Sequence, residues 1–240
     1  MSISSTEGQD TTIVLDPEEP DCFMEFYSPP RVCLALRNRG LPARHSFDLA
    51  TGFNFLAWED RAKALSLQDE ANPLFVMLSP PCTMYSTLQN LNLGKMQPSV
   101  RDRRFQDAHC LLDFAMLVAE RQIQRGKFFC HEHPAQATSW RRASVQRVAQ
   151  LPGCQTVTFD QCRVGLMTPA SRMPLRKRTT LLTNSPAVVN TFRPLQCACP
   201  HTHHGVAQGS EGGIRISSYC QVYTPQFVSL LANCVQAEMV

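Results

Sequence analysis

The feature that most constrains the fold is a series of short apolar runs separated by helical patterns. "LFVMLS" at 74–79 is a continuous apolar run of strand length, which is typical of a strand covered on both faces. "KFFCHEHP" at 127–134 is another such run, and between the two, apolar residues recur at intervals of three and four from 101 to 125. That spacing predicts a long amphipathic helix. Because strands that alternate with helices favour parallel pairing through right-handed crossovers, we expect an α/β protein with a Rossmann-like, three-layer α/β/α sandwich.

The remaining patterns divide the chain into one domain and its appendages. The further strands are expected at 22–27, up to Asp48, at 155–162 and at 178–184, and the further helices at 30–39, 58–68 and 139–151. Residues 1–20 are polar and acidic and predict a flexible arm before a single domain over 21–240. Within that domain we expect a Cys/His-rich loop or small subdomain at 186–214 and a closing helix at 219–236.

The composition indicates a globular protein without a membrane-spanning segment. Apolar residues make up 43% of the chain and charged residues 18%, and the formal net charge is only +3. No segment approaches the roughly 18 uninterrupted apolar residues of a membrane span, and the polar start has no secretory signal pattern. Eleven cysteines form an odd, scattered set, which favours reduced thiols over a disulfide framework. We therefore expect an intracellular protein with no membrane partner.

A candidate nucleophile stands directly behind two prolines. In "SPPC" the rings of Pro80 and Pro81 fix φ for two consecutive residues, so the loop that presents Cys82 is preorganised. Glu132 ends the apolar run that we interpret as the neighbouring strand, and a carboxylic acid can share its proton with a ring nitrogen of a heterocycle. The pairing suggests covalent catalysis on a base. The alternative is that the prolines only end the strand and Cys82 is a small buried residue.

Several motifs in order resemble the cytosine-5 DNA methyltransferases. "SPPC" is followed by "EHP", and the chain also contains "EFYSPPRV", "SFDLATGFNFL", "DQCRVGL" and "RKRTTLLTNSP". Together these motifs resemble a divergent group of that family found in mobile elements and phages, over about 24–235. The resemblance implies the Rossmann-like fold of S-adenosylmethionine-dependent methyltransferases. The activity that it implies is methyl transfer to carbon 5 of cytosine in DNA or RNA.

The resemblance also implies a role for each matching residue. Cys82 would be the nucleophile and Glu132 the acid that contacts the base. The catalytic loop and its support would comprise Ser79, Pro80, Pro81, His133 and Arg178, the last in the "RKR" stretch 176–178. The S-adenosylmethionine site would comprise Glu25, Tyr27, Ser28, Asp48 and Tyr223.

Departures from the family pattern leave other functions open. "SPPRV" has no glycine where the family's cofactor turn has two or three, and His133 replaces an asparagine. A catalytically silent relative that binds nucleic acid or a protein partner is therefore the alternative. Amino-group methyltransferases carry an aromatic residue after the two prolines, where this chain has Cys82. The chain also lacks the length for a large recognition domain, so we expect a single-stranded or structured nucleic acid, or a separate recognition partner.

A second cluster of chemistry-bearing residues lies near the carboxyl end. "CACPHTHH" at 197–204 contains thiol and imidazole groups, which are the ligands that zinc prefers. We predict a structural zinc ion on Cys199, His201 and His203. The alternative is a polar loop without metal.

Overall fold

A computed structural model describes residues 20–86, 89, 93–198 and 207–240. The central sheet has six strands in the order β2-β1-β3-β4-β6-β5. They are β1 Phe23–Phe26, β2 His45–Phe47, β3 Phe75–Leu78, β4 Phe128–Pro134, β5 Gln155–Asp160 and β6 Arg178–Thr183. A separate two-stranded sheet pairs β7 Ser210–Glu211 with β8 Ile214–Arg215. Residues 1–19 of the expected flexible arm lie outside the described residues.

Helices cover both faces of the central sheet. They are α1 Val32–Arg37, α2 Trp58–Ala71, α3 Pro98–Gln124, α4 Ala143–Ala149, α5 Pro186–Phe192, α6 Ile216–Tyr219 and α7 Pro225–Ala237. On one face Phe23 and Phe75 pack with α1, α5 and α7, and on the other face Phe26 and Leu78 pack with α3 and α4. Alternate strand residues therefore enter two separate cores, as in a sheet that is buried on both sides. The protein has a Rossmann-like, three-layer α/β/α fold.

The expectation of uniformly parallel pairing is wrong for β6. β1 to β4 pair in parallel, whereas β6 is antiparallel to both β4 and β5. Residues 161–177 join β5 to β6 without an α-helix, so the chain turns back at the carboxyl end of β5 instead of crossing over the sheet. As a result β6 begins at the same sheet edge where β3 and β4 end.

Two predicted elements near the carboxyl end are placed differently by the structure. Residues 186–192, expected in a loop, form α5, whose side chains Val188 and Phe192 are fully buried. The Ser185 hydroxyl accepts a hydrogen bond from the Val188 amide, and Pro186 occupies the first turn, so the start signal was present in the sequence. The closing helix begins at Pro225 rather than at 219. None of the helices in the described ranges combines the length and the apolar character that a membrane span requires.

The strand order reverses between β1 and β3. From β1 the chain continues to β2 on one side, and β3 and β4 follow on the other side. Sheets of this type bind ligands at the carboxyl ends of the strands beside such a switch point. The amide of Ser79 donates to the carbonyl of Phe26 at 3.2 Å, so the ends of β1 and β3 lie side by side there.

Candidate functional site

The segment that leaves β1, which we call the β1 turn (residues 25–30), is held by a buried carboxylate. Glu25 is fully buried. One carboxylate oxygen accepts from the amides of Arg31 at 2.7 Å and Cys33 at 3.0 Å, and the other lies 3.4 Å from the amide of Val32. Burial raises the pKa of Glu25, and these hydrogen bonds oppose that rise. Glu25 therefore anchors the start of α1, and this carboxylate is engaged by the protein itself.

Tyr27 takes a backbone conformation that usually requires glycine. Its φ is +63°, in the left-handed region that a side chain of an L-amino acid disfavours. The Tyr27 hydroxyl donates to the carbonyl of Leu111 at 2.7 Å, and the ring lies edge-on against Phe55 at 4.9 Å. These contacts hold Tyr27 in this conformation.

Ser28 and Asp48 lie beside this turn. Ser28 is buried, and its carbonyl accepts from the Ser46 hydroxyl at 2.6 Å. Asp48 follows β2 at the same edge of the sheet, and one of its carboxylate oxygens accepts from the amide of Ala50 at 2.9 Å. The backbone of the turn and this partly exposed carboxylate therefore border the switch point.

The loop after β3 is fixed to the end of β4 by a histidine. The Nε2 atom of His133 donates to the carbonyl of Pro80 at 2.9 Å, and Nδ1 accepts from the Ser139 hydroxyl at 2.7 Å. A carbonyl can only accept, so the proton of the neutral ring sits on Nε2. Burial lowers the pKa of His133, which keeps the ring neutral. His133, in the place of the family's asparagine, thus holds the "SPPC" loop against β4, whereas Pro81 is exposed.

Glu132 lies in a mostly buried site that we call the thiol site (Cys82, Glu132, Lys177 and Tyr223). One of its carboxylate oxygens, Oε2, accepts from the Tyr223 hydroxyl at 3.3 Å. The other, Oε1, lies 3.8 Å from the Lys177 ammonium and is buried without a hydrogen-bond partner among the described residues. A buried carboxylate oxygen that lacks a donor is uncommon, and it marks a place where a ligand with an N–H group would be stabilised.

Cys82 shares the electrostatic environment of this carboxylate. Burial raises the pKa of the Cys82 thiol, the charge of Glu132 raises it further, and Lys177 opposes the rise. The structure thus brings together the two residues that the sequence singled out, at the carboxyl ends of neighbouring strands. The thiol is the resting form, so attack on an electrophile requires a proton acceptor.

Lys177 is the site residue that sequence reasoning undervalued. The resemblance pointed to Arg178, but the Nε atom of Arg178 lies 3.7 Å from the buried carboxylate of Asp160, which also lies 3.2 Å from Nε of Arg176. Lys177 points the other way, and its ammonium also donates to the carbonyl of Cys220 at 3.1 Å. The alternation of side chains in "RKR" before a strand was the signal that could have identified it.

Two described thiols, Cys162 and Cys197, contact each other, and Cys197 precedes the predicted zinc ligand Cys199 by two positions in the chain. The predicted ligands Cys199, His201 and His203 lie outside the described residues. Within the described residues Cys162 and Cys197 share a thiol hydrogen bond, and burial, with that bond, raises the pKa of Cys162 to about 12. The amide of Cys197 donates to Asp160 at 2.8 Å, which places it at the end of β5. The described ranges contain no group of three or more potential ligands that could hold a metal ion.

Comparisons with known proteins add little to this geometry. No family model matches the chain, and no curated protein matches it. Among solved structures it is similar to a methyltransferase of Entamoeba histolytica, EhMeth, with 12% identity and a TM-score of 0.39 over 81% of this chain and 58% of that one. The chain thus spans little more than half the length of that protein. A TM-score of this size does not establish a relationship, and the description of the fold depends on the strand order and pairing.

Proposed function

We propose that the protein transfers a methyl group from S-adenosylmethionine to carbon 5 of cytosine in a nucleic acid, through a covalent adduct with Cys82. The observation that carries the proposal is the thiol site. A half-exposed thiol and a buried carboxylate with an unpartnered oxygen lie at adjacent strand ends, beside a lysine. A pyrimidine between them would meet a nucleophile at carbon 6 and a proton carrier at nitrogen 3.

The first step of the proposed reaction begins from the Cys82 thiol and the Glu132 carboxylate. The Cys82 proton passes to the Glu132 carboxylate, the sulfur forms a bond to carbon 6, and Glu132 gives the proton to nitrogen 3. Electron density then moves to carbon 5, which becomes the methyl acceptor. When carbon 5 loses its proton to a base, the bond between sulfur and carbon 6 breaks and leaves the Cys82 thiolate. The proton on nitrogen 3 returns to Glu132, which gives it back to the thiolate. Lys177 stabilises the Glu132 carboxylate at the beginning and the end of this cycle.

The β1 turn fits a cofactor at the switch point. The left-handed backbone at Tyr27, the buried Ser28 and the carboxylate of Asp48 border the crevice, and an acid at this strand end suits ribose hydroxyls. Bound S-adenosylmethionine would supply an electrophilic methyl group there. The Glu25 carboxylate supports the turn through α1, and we assign it no contact with the cofactor.

The proposal is tested by trapping. In 5-fluorocytosine a fluorine atom replaces the hydrogen at carbon 5, so no proton can leave that carbon after methyl transfer. The covalent adduct therefore accumulates when S-adenosylmethionine is present. We expect a band stable to denaturation with the native protein and none with Cys82→Ser. Cys154→Ser is the matched control, because Cys154 is also partly exposed but precedes β5 at the opposite sheet edge. Absence of both the adduct and calorimetric binding of S-adenosylmethionine would reject the proposal.

The second candidate is a catalytically silent nucleic-acid-binding protein. The observation that favours it is that the Glu25 carboxylate is engaged by the protein itself and that "SPPRV" at 28–32 contains no glycine. Such a protein would bind nucleic acid equally well before and after the Cys82→Ser substitution and would not bind S-adenosylmethionine. The trapping experiment separates the two functions.

The nucleic acid that we propose is single-stranded or structured. The outward side chains of Arg176 and Arg178 are 45% and 49% exposed, and their Nε atoms face the buried Asp160. Both guanidinium groups are therefore held at the end of β5, at the sheet edge where β4 also ends. A target base in a duplex must be extruded at a cost of a few kcal/mol, which is smaller in an unpaired strand. We expect single strands to compete better than duplex in gel shifts. Arg176→Gln with Arg178→Gln should weaken binding and reduce its salt dependence.

We retain the structural zinc ion as a proposal. The contact between the thiols of Cys162 and Cys197 supports it, because Cys197 stands two positions before Cys199 in the chain. Protein purified without a histidine tag should contain about one equivalent of zinc, as a closed tetrahedral site would bind one ion. We expect Cys162→Ser to lose it and Cys154→Ser to keep it. Metal-free native protein would reject the site.

A further inference from the structure

Tyr223 lies in the segment between α6 and α7, and its side chain is buried at the sheet edge where β3 and β4 end. It is 8% exposed, and its ring stacks on Phe227 with 4.5 Å between the ring centroids. The guanidinium of Arg31 lies 6.0 Å from the ring centroid on the side of α1. Neighbouring side chains therefore define the ring position before any ligand binds.

The Tyr223 hydroxyl joins the two strand ends that build the thiol site. It lies 2.5 Å from the Ser79 hydroxyl, which follows β3, and it donates to Oε2 of Glu132 on β4 at 3.3 Å. Because the tyrosine proton goes to the carboxylate, the serine proton must point toward the tyrosine oxygen. Burial, the largest cause, and the charge of Glu132 raise the pKa of Tyr223 well above its usual value. The phenol consequently stays protonated and remains a donor.

We propose that Tyr223 is a positioning residue for Glu132, not a contact of the cofactor; this inference depends on the proposed function for its catalytic meaning. By holding Oε2, the hydroxyl leaves Oε1 as the oxygen that faces Lys177 and an incoming base. Ser79 in turn holds the hydroxyl, so the first residue of "SPPC" supports the carboxylate as well as the loop. The resemblance had placed Tyr223 with the cofactor residues, and its hydroxyl contacts Ser79 and Glu132 instead.

Removing the hydroxyl alone should change the environment of the Glu132 carboxylate. Tyr223→Phe keeps the stack on Phe227 and deletes the donor to Oε2, so that oxygen loses its partner. The neighbouring groups Cys82, Lys177 and His133 are not altered. The carbon-13 signal of the Glu132 carboxyl should therefore shift in the variant.

The experiment measures three quantities in the native protein and in Tyr223→Phe. We expect adduct formation with 5-fluorocytosine to slow by about tenfold, as for the loss of one hydrogen bond to a charged group. We also expect a changed carbon-13 chemical shift of the Glu132 carboxyl, and unchanged affinity for S-adenosylmethionine. Tyr219→Phe is the matched control, because Tyr219 packs in a different cluster with Leu166 and Leu175.

The outcomes separate the inference from the proposed function. Weaker S-adenosylmethionine binding with an unchanged carbon-13 signal of the Glu132 carboxyl would overturn the positioning role. If native protein forms no adduct, the proposed function fails, yet that carboxyl signal still decides whether Tyr223 holds Glu132. Ser79→Ala removes the donor to Tyr223 but keeps the tyrosine bond to Glu132, and we expect it to produce a smaller change of the same signal. An unchanged signal in Tyr223→Phe would refute the inference even if both variants lost activity.

Discussion

Two pairs of a cysteine and a glutamate can be compared in the described part of the protein. They differ in how many of their polar atoms have hydrogen-bond partners. In the β1 turn Glu25 accepts from three amides, and the thiol of Cys33 donates to the carbonyl of His45 at 3.2 Å. In the thiol site Glu132 keeps an oxygen without a partner among the described residues, and Cys82 is partly exposed. The same two residue types thus serve as structural support in one place and as an unsatisfied pair in the other. Buried polar groups that lack partners cost stability, so their presence suggests selection for function.

The largest expected difference between the pairs is in thiol reactivity. Cys33 is fully buried, whereas Cys82 is open to a small reagent. Peptide mapping after iodoacetamide treatment should show Cys82 modified at least about 100-fold faster than Cys33, because Cys33 reacts only after local opening. Equal rates in the folded protein would remove the distinction between the two sites.

Charge changes in the thiol site should move the reactivity of Cys82 in opposite directions. Glu132→Gln removes the negative charge that raises the pKa of Cys82, so alkylation at pH 8 should become faster. Lys177→Met removes the charge that lowers that pKa, so alkylation should become slower. Neither change should affect Cys33. Shifts of the same sign would mean that the two charges do not act directly on the thiol.

Stability should respond to the two glutamates unequally. Glu25→Gln replaces an acceptor of three buried amides and should cost about 3 kcal/mol of unfolding free energy. Glu132→Gln loses a loose ion pair, at 3.8 Å, and keeps an oxygen that can accept from Tyr223, so it should cost less than Glu25→Gln. Urea unfolding of the two variants measures the difference. A larger loss for Glu132→Gln would identify it as a structural residue.

Acid should destabilise the support of the thiol site. His131 and His133 are fully buried, and burial lowers the pKa of both below the usual value. The unfolded chain therefore takes up protons first, so stability is full above about pH 6.5 and falls below it by roughly 1.4 kcal/mol per pH unit for each histidine. His131→Phe should reduce the slope of the unfolding free energy with pH by the contribution of one histidine. An unchanged slope would mean that His131 takes up no additional proton when the chain unfolds.

The smallest expected effect concerns the backbone of the β1 turn. Tyr27→Gly and Tyr27→Ala both lose the ring, but only alanine keeps a Cβ in the left-handed region. Glycine should therefore be more stable than alanine by about 1 kcal/mol, the reverse of the usual order. Thermal unfolding of the two variants decides this. Alanine at least as stable as glycine would show that the turn does not hold a positive φ in solution.

The strand and helix patterns predicted much of the fold because they are local. The apolar run at 74–79 and the periodic segment at 101–125 correspond to β3 and α3. The reversal of β6 was not predictable in this way, because strand direction depends on how residues 161–177 return the chain to the sheet. The start of α5 is encoded locally, because Ser185 caps the helix and Pro186 occupies its first turn.

The sequence by itself determined the thiol behind two prolines and the carboxylate at the end of the neighbouring strand, since both signals lie within a few residues. Only the tertiary structure decided which groups surround them. Lys177 reaches Glu132 because an antiparallel strand begins at that sheet edge, and Tyr223 reaches it from 91 positions away in the chain. Contacts of this kind depend on packing between distant segments, and no local pattern of residues encodes them.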